Sequence, residues 1–131
     1  MPNLLSENYD NALQILDEYD VNVIRIGDGD KIVEQYPKAQ DDVYSNQRVF
    51  LLTNSNNISL PNFEGWTRKD IIAYWNLTNL PITMDGYGVA YEQSVLPNTI
   101  VDGSTEIIIK LHDINYVEPV ENEIQVEETP E

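Results

Sequence analysis

Side chains that could do chemistry are few in this sequence and stand apart. Gly27-Asp28-Gly29-Asp30 places two carboxylates in a Gly-rich stretch that could wrap a cation. A calcium loop needs oxygen ligands at alternate positions, a Gly at the sixth and a Glu at the twelfth; counting from Asp28, Ile32 and Val33 occupy the fifth and sixth. The stretch therefore reads as a hairpin turn, and no helix follows it as a dinucleotide fingerprint would require. His112, the single histidine, has no Ser, Cys or second His near it in sequence, so a nucleophile–base pair and a zinc site both lack material. Asp41-Asp42 lies in a turn-rich piece and reads as solvated carboxylates rather than a working acid and base. The chain is read as a non-enzyme, with no cofactor and no metal expected.

Binding has more to work with. Trp66 precedes a helix cap in a segment expected to be half exposed, where a large aromatic either staples the entering chain or meets a partner. Tyr87, between two glycines at a turn tip, is hard to bury. With Arg68 they form the candidate contact set for a ligand or partner.

Charge narrows the partners. Twenty-three acids against seven bases give a net charge of −16 with no basic cluster, so nucleic acid and anionic membrane surfaces are disfavoured. No apolar run approaches a membrane span, and residues 1–17 hold no basic-then-apolar leader, so export is expected to be directed by sequence outside this chain. Cysteine is absent, which excludes disulfides and thiolate metal sites. The longest plain apolar run is Val49 to Leu52.

The elements that hold these residues occur twice. One constant offset aligns Pro2-Asn3 with Pro61-Asn62, Ala12, Leu13 and Leu16 with Ile71, Ile72 and Trp75, and Gly27 and Gly29 with Gly86 and Gly88. After a one-residue slip, Glu34-Gln35 aligns with Glu92-Gln93 and Val43 with Val101. Asn8 and Thr67 are the predicted helix caps, Thr67 with Asp70 as a capping box. Ala12, Ile15, Leu16, Tyr19 and Ile71, Tyr74, Trp75, Thr78 fall at helical spacing. Strands are predicted at Val21–Val23 and Leu80–Met84, at Ile32–Tyr36 and Val89–Val95, and at Val49–Thr53 and Ile107–Leu111, with Pro81 marking an edge. Each unit thus reads as α+β, one helix on a three-stranded antiparallel sheet with a short extended N-terminal strand. The expected organisation is a first unit at 1–54, a short linker at 55–59, a second unit at 60–113 and an acidic tail at 114–131, which carries six glutamates and no base. Units this small are expected to lean on each other.

Both units resemble PASTA domains, the modules appended to penicillin-binding proteins and to serine/threonine kinases of Gram-positive bacteria. The resemblance spans residues 1–113 and rests on the Met/Leu-Pro-Asn entry, the capped helix, the Gly-x-Gly turn (IGDG, DGYG), the turns EQYPKAQ and EQSVLPN, and the closing strand. The first unit departs from the pattern, with Ser6-Glu7 where the second has Gly65-Trp66 and Gln40-Asp41 where the family has Gly-Thr. Gly-Trp in LPNFEGWTRKDI is closer to the penicillin-binding type, a division transpeptidase of class B. Ser-x-x-Lys, Ser-x-Asn and Lys-Thr-Gly are all missing, so this chain is not the catalytic domain. The resemblance implies a non-catalytic module outside the cell, at the wall or septum and anchored through its parent. Its implied partners are peptidoglycan or muropeptides, a divisome protein, and the parent's own transpeptidase domain, in support of septal synthesis and cell division. It also implies an alternative, the muropeptide-sensing ectodomain of a kinase. β-Lactam contact belongs to the same implied setting.

Overall fold

The structure, a computed structural model, describes residues 1–55 and 57–113. The 114–131 tail lies outside the described residues. Helix α1 (Tyr9–Leu16) is capped by Asn8, whose side chain accepts from the amides of Asp10 (2.8 Å) and Asn11 (3.4 Å). Strands β1 (Val21–Ile26), β2 (Ile32–Tyr36) and β3 (Gln47–Thr53) follow, then β4 (Ile58–Ser59). Helix α2 (Arg68–Thr78) begins at Thr67, whose hydroxyl accepts from the Asp70 amide, and ends at Asn79 in the left-handed region (φ 57°). The order then repeats as β5 (Ile82–Asp85), β6 (Val89–Gln93), the short β7 (Ile100–Val101) and β8 (Ile107–His112). The expected α+β fold is thus present twice, once before and once after Asn56.

Neither three-stranded sheet is purely antiparallel. The orders are β1-β3-β2 and β5-β8-β6, so the last strand of each unit enters the middle, antiparallel to its β2-type neighbour and parallel to its β1-type neighbour. The reason is topological. The Gly-x-Gly turn reverses the chain between the two outer strands but leaves a gap between them, and the third strand fills it. Both sheets carry a bulge at the matching place, between Ile32 and Glu34 and between Ala90 and Glu92. Pro81 precedes edge strand β5, where its missing amide costs no ladder bond.

A glutamine locks the entry of each unit. Gln35 accepts from the Leu4 amide (2.7 Å) and donates to the carbonyls of Pro2 and Pro37; Gln93 accepts from the Phe63 amide (2.9 Å) and donates to those of Pro61 and Val95. Three backbone groups that would otherwise go unpaired are thereby satisfied in each unit. The Pro-Asn entry and the Glu-Gln pair, far apart in sequence, are two halves of one clamp. Ile58 and Ser59, in the stretch between the units, pair as β4 with Ile100 and Val101.

The two sheets differ in what covers them. In β3, Val49 and Leu51 face α1, with Leu4, Ala12, Leu16 and Ile32. Phe50, completely buried, faces the other way and joins Ile26 in the core of the second unit, with Ile24, Tyr36 and Leu52 packed against it. The Val49–Leu52 run is apolar throughout because helices cover both faces of that strand. In β8 the pattern alternates: Ile107, Ile109 and Leu111 are buried while Ile108 and Lys110 are exposed. Phe50 pairs with Ile24 in the register in which Ile108 pairs with Thr83, so these are equivalent positions, one covered and one open.

Candidate ligand groove between the two units

Trp66 is 3% exposed, which corrects its expected role as a surface contact residue. It packs edge-on to Phe63 (4.8 Å between ring centres) and Tyr74 (5.8 Å), and at 5.3 Å from Phe50 of the first unit. The Arg48 guanidinium lies over its ring at 5.3 Å and reaches on to Asp70 at 2.7 Å. The predicted capping box is therefore half formed. Thr67 caps, but the Asp70 carboxylate is drawn to Arg48, a guanidinium being a stronger partner than a backbone amide. At the position of Trp66 the first unit has Glu7, which accepts from Asn11 on the same helix (2.6 Å). The Gly-Trp difference between the copies thus reflects which helix packs on a neighbouring sheet.

Because α2 packs on two sheets, its buried set is broader than one stripe. Ile71 and Tyr74 are buried as expected, Ala73 joins them, and Trp75 is 40% exposed. The Tyr74 hydroxyl is buried with no hydrogen-bond partner among the described residues, and burial pushes its pKa above the ordinary phenol value.

Arg68 and Tyr87 are brought together. The guanidinium lies 5.5 Å over the Tyr87 ring and Nη1 donates to the Gly86 carbonyl (3.3 Å), while Tyr87 is 79% exposed. Arg68 also edges a groove of about 900 Å³ between α2 and the β2–β3 face of the first unit. Its floor is apolar, built from Tyr36, Leu52, Ile72 and Leu77; Lys38, Arg68 and Lys69 line it together with one acid, Glu34. Three of the seven bases of this acidic chain therefore converge on one concavity. Lys38 and Lys69 make no ion pair with a described residue. Sequence reasoning missed the groove, since Lys38 and Lys69 belong to different units.

The reactive candidates resolve into structural parts. Asp28 is fully exposed, and hydrogen bonds from Ser55 (2.5 Å) and Asn57 (3.0 Å) hold its carboxyl below the usual range. His112 stacks on Tyr91 at 4.2 Å. Asp41 and Asp42 are exposed. Among the described residues no group of three metal-ligating side chains converges, and no helix is long and apolar enough to cross a membrane.

Two helix-on-sheet units sharing a core, with a groove at their junction and no assembled reacting set, define a duplicated binding module. Residues 1–55 match the model of the PASTA domain, and the chain belongs to that family. The second unit repeats the same helix, strand order, bulge and Gln clamp, so the fold is a PASTA pair.

Among solved structures, the chain is similar to penicillin-binding protein 2X from Streptococcus thermophilus (TM-score 0.71, 25% identity), covering 86% of this chain and 16% of that one. It is also similar to the three-PASTA-domain of a Ser/Thr kinase from Staphylococcus aureus (TM-score 0.40, 16% identity, 86% and 65% covered). A further match is the extracellular region of the Ser/Thr kinase PrkC from Staphylococcus aureus (TM-score 0.39, 17% identity, 98% and 55% covered). No match is found among the curated proteins. The chain thus spans 16% of the length of the penicillin-binding protein it matches.

Proposed function

We propose that this chain is the non-catalytic, wall-facing PASTA pair of a penicillin-binding protein, and that it positions a transpeptidase domain of the same parent on peptidoglycan during septal synthesis. The observation that carries the binding role is the groove between the units, an apolar floor edged by three bases on a chain of net charge −16. The likeness to penicillin-binding protein 2X over most of this chain supports the choice of parent. The domain organisation that goes with this reading is a unit at 1–54, a junction at 55–59, a unit at 60–113 and an acidic tail. Outside the cell, the module acts by holding wall peptides or a divisome protein, and its acidic surface keeps it from wall polyanions.

Co-sedimentation with purified Gram-positive sacculi tests the reading. Retention in the pellet is expected and should persist after teichoic acid is stripped. If the chain stays in the supernatant with both preparations, wall binding is excluded.

A further inference from the structure

Resting on that reading, we infer that the groove between the units holds a short peptide by its free C-terminal carboxylate. Lys38 on the first unit and Arg68 and Lys69 on the second approach it from opposite walls, so an anion there meets charge from both units at once. The single lining acid, Glu34, leaves a local excess of positive charge, although the molecule as a whole is strongly negative. That contrast selects for size. An extended polyanion would leave the groove and meet the acidic surface, whereas one carboxylate can be served without leaving it. Tyr36, Leu52, Ile72 and Leu77 supply an apolar bed for small side chains next to that carboxylate, and Asn76 and Asn79 offer amides that can pair with a peptide backbone. Arg68 is already oriented by Gly86 and Tyr87, which leaves Lys38 and Lys69 as the mobile point charges that close on the ligand.

Titration of the intact chain with diacetyl-Lys-D-Ala-D-Ala, followed through the methyl signals of Ile72, Leu77 and Leu52, tests this. The free acid should shift those signals. Its C-terminal amide should bind about tenfold more weakly, as should the free acid to Lys38→Gln/Lys69→Gln, whose exposed substitutions leave the melting temperature unchanged. Equal affinity for acid and amide overturns the carboxylate assignment, and tighter binding of a polyglycerol phosphate overturns it in favour of a polyanion site. If the chain sediments with sacculi but the tripeptide shifts no groove signal, the groove assignment falls and the wall-binding reading stands. Failure of both experiments removes both.

Discussion

Replacing Phe50 with Ala asks whether the two units are one cooperative body. Phe50 is completely buried and its ring sits 5.3 Å from Trp66 and 6.1 Å from both Tyr36 and Tyr74, so its removal opens a cavity between the units rather than inside the first. Truncating a buried Phe costs about 3–5 kcal/mol. For a body of this size each kcal/mol lowers the melting temperature by about 4 °C, so a fall of about 12–20 °C is expected. Ile108 supplies the control, since it holds the matching position on the second sheet but is 42% exposed; Ile108→Ala should cost about 1 kcal/mol. The assay is thermal unfolding followed by circular dichroism and by tryptophan fluorescence. The parent chain should melt in one transition at both wavelengths, and Phe50→Ala should lower it or split it in two. A Phe50→Ala loss no larger than that of Ile108→Ala would refute the shared core.

Gln93→Leu strips the Phe63 amide and the carbonyls of Pro61 and Val95 of their partner and should cost about 2–3 kcal/mol by urea titration, with Gln35→Leu doing the same to the first unit. Tyr74→Phe removes a buried hydroxyl that has no partner among the described residues, so stability at neutral pH should hold or rise by about 1 kcal/mol. Because burial raises the pKa of Tyr74, its contribution is intact below the ordinary value of 10.0 and is lost as pH climbs above it; the alkaline fall in stability should therefore be shallower in Tyr74→Phe. Gly88 holds φ +103°, and a Cβ there would collide with the His112 carbonyl oxygen. Gly88→Ala should lose more than about 1 kcal/mol, while Gly103→Ala, with open space around it, should stay within about 0.5 kcal/mol when both are measured by urea titration.

What could be read from the sequence was what each unit does alone. Capping residues, helical spacing and Gly-x-Gly turns act within a few residues, so Asn8, Thr67 and all six strands of the two main sheets were legible. Strand order was not, because alternation gives the faces of a strand and says nothing of its neighbours. Burial of Trp66 and exposure of Trp75 depend on a second sheet lying against α2, which no single-helix pattern encodes. The groove combines Lys38 with Lys69 across the junction, and only the packing of the units brings them near each other. One cue was present in Val49–Leu52, since four apolar residues in a row on a strand require cover on both sides.

The contact that seats α2 on the first sheet could in principle be copied indefinitely, each new helix riding on the sheet before it. Here both ends of such a column are blunted. The outward side of α1 shows Asn11, Gln14 and Glu18, and the outward side of the second sheet shows Thr83, Asp85 and Lys110 where the first has Ile24, Ile26 and Leu52. Another unit added through the same contact would have to bury Asp85 and Lys110 on a sheet that offers only Ile108 in return. The pair is thus a column that terminates itself at two, its length written in the side chains of its ends.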